Sequence, residues 1–272
     1  MGSKDALAPE LEVASLEVAR DHLDASELLA NGGKFGAARS HDILAYESTV
    51  QAWAYHLVVL EWATLEWKNA SHRIYIQEDA LRDHPLKQLM ITVIDPVFRG
   101  IARVVAADAQ FREFKGKRST ILGNLLEETN PPPTVLSCLN HAKNDGFYAR
   151  RRAGRVHRPS EVTERDVTGL HLWVKRRLSL MRDLIGIELE SSVKEHIAFH
   201  IGQMAEKGLR IDKAVLFQLR QAEARAGKRI SDYSDEIAAR AGNAFDCVVE
   251  QARMRRRIPT GNPDKSGEPY HH

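Results

Sequence analysis

Apolar residues recur at helical spacing along most of the 272-residue chain, and this periodicity restricts its fold more than any other feature. Near the N-terminus, Leu16, Ala19, Leu23, Ser26 and Leu29 fall on one face of a helix. Clusters of β-branched residues flanked by turn residues, which would indicate strands, are scarce. Hydrophobic residues make up 43% of the chain, which is enough to bury a core. We therefore predict an all-α fold.

Prolines, glycines and helix caps divide this pattern into segments. The first predicted helix runs from Pro9 to Ala30, and a second, strongly apolar helix runs from near Gly36 to Lys68. A third starts at Pro85, with Asp83 or His84 as its cap, and Pro96 kinks or restarts it on the way to about residue 115. Further helices are predicted at 119–128, 134–143, 188–207, 212–226 and 232–257, with a proline-rich connector at 130–133.

The segment 147–160 is basic and contains Gly154 and Pro159, so we predict an extended loop or a small hairpin there. After it, Thr163 has the features of a helix N-cap, with Asp166 as its capping-box partner three positions later. This cap begins a predicted helix that continues through Leu184.

Charge and cysteine content exclude several functional classes. Basic and acidic residues number 39 and 37, so the net charge of +2 creates no global attraction for nucleic acid, and any such contact must be local. Cys138 and Cys247 match no disulfide or metal spacing, and the N-terminus lacks the apolar core of a secretion signal. The longest apolar window is too short to span a membrane. We expect a cytoplasmic protein without a membrane contact.

The sequence also gives no sign of a cofactor. It contains no glycine-rich phosphate loop, nucleophile elbow or dinucleotide fingerprint, so a nucleotide-dependent enzyme is not expected. His196 and His200 have the spacing of metal ligands on a helix, but the sequence offers no third ligand, and we interpret them as surface histidines. We predict neither a cofactor nor a bound metal.

Three blocks of sequence, in order, resemble a known family. They are the stretch from Ala19 through Asn31-Gly32-Gly33 to Glu47; His84-Pro-Leu-Lys87; and Lys143-Asn-Asp-Gly-Phe-Tyr148 followed by Gly154, Pro159 and residues 163–167. Together they resemble the AbiV branch of the HEPN superfamily, whose members act in abortive infection against phage. The chain departs from the family pattern at Ser48 and Gln51, where a second glutamate and a lysine are usual.

The resemblance implies an antiparallel helical bundle, here with additional C-terminal helices, that forms a homodimer. In many HEPN relatives it also implies metal-independent ribonuclease activity, associated with an arginine, a polar residue and a histidine a few positions on. The best match is Arg165, Asp166 and His171. We predict His171 as the general acid or base, Arg165 as the group that stabilises charge on the phosphate, and Asp166 as the residue that orients them.

The same three residues also have a structural interpretation. Asp166 would cap its helix, Arg165 would be a solvated first-turn charge and His171 would be half buried. Residues six apart on a helix differ by about 240° of rotation, so Arg165 and His171 do not share a face. A catalytic role therefore requires either a swing of the long Arg165 side chain or a symmetric dimer that brings two copies together.

His84, Lys87 and Glu47 form a second candidate site. An imidazole and an ammonium one helical turn apart at a helix start can bind a phosphate. The alternative is a helix cap and a surface lysine. Glu47 lies on an apolar helix, so we predict an internal ion pair, with Lys87 or Arg39 as partner, ahead of a catalytic role.

The basic residues Arg150, Arg151 and Arg152 are a candidate RNA-binding surface, or else a solvated charged turn. We divide the chain into a HEPN-like bundle at 1–186, a helical extension at 187–258 that packs on the bundle or mediates oligomerisation, and a tail at 259–272. The predicted function is an antiphage effector that cleaves RNA and arrests translation, with a phage protein as its trigger or inhibitor. One alternative is a non-enzymatic effector that binds a phage protein or a translation component; another is an RNA-binding regulator.

Overall fold

The computed structural model describes residues 4–91, 93–94, 97, 136, 139–152, 154–185 and 191–226, and most of them are helical. The prediction of an all-α, HEPN-like bundle is confirmed. The helices are α1 (Ala8–Asn31), α2 (Phe35–Val59), α3 (Glu78–Arg82), α4 (84–91), α5 (Leu139–Phe147), α6 (Glu164–Ile185), α7 (Ser191–Glu206) and α8 (Lys213–Ala226).

Short strands and 3₁₀ turns connect the helices. Strands β1 (Ala63–Thr64), β2 (Ile74–Ile76) and β5 (Arg210–Ile211) form a parallel sheet in the order β1-β2-β5. Strands β3 (Arg150–Arg152) and β4 (Arg155–His157) form an antiparallel hairpin, as predicted for the basic segment. The 3₁₀ turns lie at Lys4–Leu7, Trp67–Asn69 and Pro159–Glu161. The parallel sheet was not predicted, because strands this short carry no readable alternation.

Helix α2 ends earlier than the sequence predicts. The apolar pattern continues to Lys68, but the helix stops at Val59, and Glu61 turns the chain with a positive φ of 60°. The apolar residues Trp62, Ala63 and Leu65 are still buried, but they lie in and directly around β1, which pairs with β2, rather than in a helix. The prediction was wrong here because hydrophobicity reports burial and not backbone conformation in a run this short.

Helix α2 is the centre of the bundle. It packs against α1, α5 and α6, and most of its side chains are buried. The Tyr46 ring packs against that of Trp173 on α6, with centroids 4.9 Å apart and planes tilted by 43°, and its hydroxyl donates a 3.0 Å hydrogen bond to the carbonyl of Gln88 on α4. A helix buried on nearly all sides must pair every polar side chain that it carries, and this requirement shapes the site described below.

Helices α2 and α5 cross at two glycines. A Cβ placed on Gly146 would collide with the carbonyl oxygen of Gly36 and the hydroxyl of Ser40, and a Cβ on Gly36 would collide with Pro159. Ser40 is buried at this crossing and donates a 2.6 Å hydrogen bond to the carbonyl of Lys143. The crossing requires glycine on both helices and fixes α5, which carries Lys143, against α2.

The segment after residue 190 packs on the bundle. Ile197 and Ile201 of α7, Ile211 of β5 and Leu216 of α8 are buried in the same apolar cluster as the core residues of α2 and α6. The predicted helices at 119–128 and 232–257, the proline-rich connector and the tail lie outside the described residues, as do both cysteines. Among the helices that the structure describes, none is long and apolar enough to cross a lipid bilayer.

Candidate functional site

Helix α4 begins at an aspartate cap. The Asp83 side chain accepts a 3.1 Å hydrogen bond from the backbone N–H of Leu86, and Pro85 occupies the first turn, where no N–H is needed. Of the two caps considered from the sequence, Asp83 is the one used. His84 and Lys87 therefore lie one turn apart at the start of α4, and both contact α2.

The carboxylate of Glu47 lies at the centre of a buried cluster. It is 1% exposed and accepts hydrogen bonds on Oε1 from Gln88 Nε2 at 2.6 Å and Lys143 Nζ at 3.1 Å. Oε2 pairs with His84 Nδ1, and Lys87 Nζ lies 3.9 Å from it. These groups come from α2, α4 and α5, and they form what we call the Glu47 cluster: Glu47, His84, Lys87, Gln88 and Lys143.

The predicted ion pair between Glu47 and Lys87 is present, and Lys143 adds a second cation. Arg39, the other predicted partner of Glu47, instead interacts electrostatically with Asp166 and Asp145. Burial lowers the pKa of Arg39, and those two carboxylates oppose the effect. The internal pairing expected for Glu47 is thus confirmed through lysines of two other helices.

The Glu47 cluster carries more positive than negative charge. One buried carboxylate faces two lysines whose side chains are 11% and 8% exposed. Burial lowers the pKa of Lys87, and the positive charge of Lys143 lowers it further. The carboxylates of Glu47 and Asp83 raise it in part. The His84 side chain is 51% exposed, so this ring is where the cluster meets solvent. Lys87 and Lys143 therefore place positive charge behind the exposed ring of His84, with the carboxylate of Asp83 also nearby.

A second carboxylate on α2 holds a second imidazole. Asp42 is fully buried and accepts a 2.8 Å hydrogen bond from Nδ1 of His171 on α6, whose side chain is 16% exposed. Burial raises the pKa of Asp42, and the hydrogen bond and charge of His171 work against that rise. This arrangement orients the His171 ring and fixes which ring nitrogen faces the carboxylate.

A histidine pair lies between α1 and α2. His22 and His41 approach within 3.1 Å through their Nδ1 atoms, and the His41 ring meets Phe147 edge-on at 5.6 Å. Burial lowers the pKa of both rings; His41 lowers that of His22 further, whereas nearby carboxylates, including Glu47, oppose the shift. A neutral pair is favoured, in which one ring donates and the other accepts.

The structure separates the three residues of the predicted catalytic motif. Asp166 accepts two 2.8 Å hydrogen bonds from Thr163, one from its N–H and one from its hydroxyl, so the half of the predicted capping box in which Asp166 binds the Thr163 N–H is present; the N–H of Asp166 donates to the Thr163 carbonyl rather than to the hydroxyl. Arg165 is exposed in the first turn of α6, and the ring of His171 faces α2 instead. Within one protomer, Arg165 and His171 thus lie on different sides of the helix, as the spacing indicated.

The remaining predicted residues lie on the hairpin. Arg150 and Arg151 are exposed on β3, and Gly154 makes the turn with a positive φ of 80°. On β4, Arg155 pairs with Glu161 at 3.5 Å. Within the described residues, no group of three or more histidine, cysteine, aspartate or glutamate side chains could hold a metal ion.

Several residues of the site were not singled out as site residues from the sequence. Lys143 was part of the family resemblance, and Asp42 lies inside its first block, but neither was given a role. Gln88 directly follows Lys87, so a polar residue one turn after His84 was a readable signal. His22 and His41 carry no such signal, because only the α1·α2 packing brings them together.

The described helices form a bundle whose central helix carries two buried carboxylates, Glu47 and Asp42, each paired with a histidine from another helix. The family model HEPN_AbiV, described as AbiV, matches residues 7–176, and the chain therefore belongs to the AbiV family. The match covers α1 through most of α6 and includes the Glu47 cluster; α7 and α8 lie beyond it. No curated protein and no solved structure matches this chain.

Proposed function

We propose that this chain is an abortive-infection effector that cleaves single-stranded RNA without a metal ion and so arrests translation in the infected cell. Membership of the AbiV family supports the role in abortive infection. The observation that carries the cleavage proposal is the exposed imidazole of His84, held by a buried carboxylate in a cluster where two lysines outnumber that carboxylate.

The chemistry needs only groups that this cluster supplies. RNA carries its own nucleophile, the 2′-hydroxyl, which attacks the neighbouring phosphorus as the bond to the 5′-oxygen breaks. Because Nδ1 of His84 pairs with Glu47, Nε2 is the nitrogen that takes the proton of the 2′-hydroxyl. Water protonates the leaving 5′-oxygen, so the products are a 2′,3′-cyclic phosphate and a 5′-hydroxyl.

The lysines stabilise the charge that develops in this step. In the transition state the phosphoryl oxygens gain negative charge, and nearby fixed cations stabilise such charge most effectively where water is largely excluded. Lys87 and Lys143 are held against Glu47 in a buried environment, so their positions are set before the substrate binds. Glu47 thus holds both lysines and His84 in position and does not itself contact the RNA.

The proposal extends to assembly and partners. We infer that the protein acts as a cytoplasmic homodimer, in which Arg165 of one protomer can approach the His171 region of the other, and that the hairpin arginines Arg150 and Arg151 bind RNA phosphates. A phage protein would act as trigger or inhibitor. Light scattering on the purified protein tests the dimer.

A non-enzymatic effector is the second candidate, and specific observations favour it. Asp166 is used in a helix cap, and Arg165 is exposed whereas His171 pairs with the buried Asp42. Gln51, at one of the family departures, lies 3.4 Å from the hydroxyl of Tyr55 and takes no part in the Glu47 cluster. Such a protein would use the bundle to bind a phage protein or a translation component.

An RNA-cleavage assay distinguishes the ribonuclease from the non-enzymatic effector. Labelled RNA is incubated in EDTA with the wild type, His84→Asn or a matched control variant. The control is His72→Asn, because His72 also pairs with a carboxylate, Glu206 at 3.3 Å, but its side chain is 74% exposed. We expect the wild type and His72→Asn to leave cyclic phosphate ends, and His84→Asn to be slower by about 10²-fold or more.

A third variant, His171→Asn, tests the motif predicted from the sequence. If His171→Asn abolishes cleavage while His84→Asn does not, catalysis lies at α6 and the proposal for His84 is wrong. Intact RNA with all proteins, combined with growth arrest on expression of the wild type, would establish the non-enzymatic effector instead.

A further inference from the structure

A cleft of about 410 Å³ lies between the start of α4 and the start of α8. One wall is formed by Asp83, Pro85 and Leu86, and the opposite wall by Lys213, Ala214 and Phe217. The first wall includes the residues on either side of His84. The cleft therefore lies against the first turn of α4, which also carries His84, although His84 is not one of its lining residues, and its volume is within the range of small-ligand sites.

Parallel strand pairing explains why these two helix starts meet. Strand β2 leads into α3 and α4, and β5 leads into α8; the two strands are parallel, with Ile76 opposite Ile211. Parallel strands end on the same side of a sheet, so α3 and α8, which directly follow β2 and β5, start side by side, and a single residue separates α4 from the end of α3. Gln77 ties them together: its N–H donates to the carbonyl of Ile211 at 2.8 Å, and its Oε1 accepts from the N–H of Lys213 at 2.9 Å.

The cleft combines an apolar surface with charged ends. The Phe217 side chain lines the cleft and is 54% exposed, so its ring is open to a ligand. Asp83 and Lys213 supply an acceptor and a cation. Aspartate side chains cap both helices that line the cleft, Asp83 on α4 and Asp212 on α8, so their N-terminal N–H groups are already partly used. The exposed Phe217 ring is therefore the feature on which we base ligand binding.

We propose that this cleft holds one nucleobase of a single-stranded RNA, stacked on Phe217, with Lys213 at a flanking phosphate and the scissile linkage at His84. Aromatic side chains bind unpaired bases by stacking, and a neighbouring cation binds the backbone. The Asp83 carboxylate is an acceptor for an exocyclic amino group, which favours adenine, cytosine or guanine over uracil. The inference rests on the proposed function and assigns it a substrate-binding surface on α8, beyond the family match.

The test uses an oligonucleotide that the protein can bind but not cleave. A short, single-stranded RNA with 2′-O-methyl groups lacks the nucleophile, so its affinity reports binding separately from chemistry. The variant is Phe217→Ala, and Phe199→Ala is the matched control, because Phe199 is also an exposed phenylalanine of the C-terminal helices, at 63%. Both rings lie largely outside the core, and thermal melting verifies that both variants fold.

We expect Phe217→Ala to bind the oligonucleotide about tenfold more weakly than the wild type, with Phe199→Ala unchanged, as the loss of one stacked base predicts. With cleavable RNA, Phe217→Ala should raise KM more than it lowers kcat, because the ring binds the base and takes no part in proton transfer. An oligonucleotide of uracil alone should bind the wild type more weakly than one of adenine.

The outcomes separate the two proposals. Cleavage that requires His84, with equal affinity in the wild type, Phe217→Ala and Phe199→Ala, would overturn the base-binding cleft and leave the nuclease in place. Binding that requires Phe217, with no cleavage by any protein, would support the cleft and refute the nuclease. Equal affinities without cleavage would refute both.

Discussion

Replacing Glu47 by glutamine should destabilise the protein severely, although the two side chains have nearly the same shape. Glu47 is 1% exposed, and its charge is the buried negative charge that Lys87 and Lys143 both contact. Glutamine can still accept from Gln88, but two lysines with side chains 11% and 8% exposed lose their counter-charge. Breaking a buried ion pair from one side costs about 3–5 kcal/mol.

Urea unfolding, followed by circular dichroism, measures this loss. Slopes of about 1–3 kcal/mol per molar urea are usual, so the midpoint should fall by roughly 1–5 M. Glu61→Gln is the control, because the Glu61 side chain is 78% exposed and its partner Arg73 lies at 3.6 Å. Exposed pairs contribute about 0–1 kcal/mol, so its midpoint should stay near that of the wild type.

A double variant identifies the source of the loss. In Glu47→Gln with Lys143→Met, one of the stranded cations is removed together with the carboxylate. The two effects should therefore fall short of additivity by about 1 kcal/mol or more. If Glu47→Gln unfolds at the same urea concentration as Glu61→Gln, or if the two substitutions are additive, the electrostatic account of the Glu47 cluster is refuted.

Two further predictions concern packing and pH. Gly146→Ala should lower the free energy of unfolding by about 1–3 kcal/mol, because its methyl group would meet backbone at the α2·α5 crossing. Gly32→Ala is the control: its Cβ would lie 3.6 Å from its nearest neighbours, so the substitution should be neutral or slightly stabilising. If the two variants have the same urea midpoint, the close approach of α2 and α5 at Gly146 is refuted. The lowered pKa of His22 and His41 means that the folded state binds protons less well than the unfolded chain, so stability should fall as the pH drops below about 6.5, and His41→Asn should weaken that fall. Melting temperatures between pH 5 and 8 measure it, and an unchanged profile in His41→Asn would show that the pair does not titrate in this way.

Local sequence patterns predicted the elements that depend on neighbours along the chain. The limits of α1, the aspartate cap of α4, the pairing of Asp166 with Thr163 and the basic hairpin all follow from residues within a few positions of one another. The end of α2 did not follow, because a buried strand and a buried helix are equally apolar over a short run. The parallel pairing of β2 and β5 joins segments far apart in sequence and left no local signal.

The candidate site divides along the same line. Sequence alone selected Glu47, His84 and Lys87, because a charged residue on an apolar helix must find a partner and because the three stand in family-like blocks. The sequence did not distinguish Lys87 from Arg39 as the partner of Glu47, and it did not predict Lys143 as a second partner. Both depend on which helix packs against which face of α2. The sequence also grouped Arg165 with His171, which helix geometry places on different sides.

The amino-acid sequence by itself determined a helical bundle, its family and the kinds of chemical group available to it, because periodicity, caps and motifs are local properties. Tertiary structure decided which of those groups meet: four side chains from two other helices around one carboxylate, and two helix starts around one cleft. Contacts between distant segments are set by packing of the whole bundle, and the pattern within any one segment does not contain them.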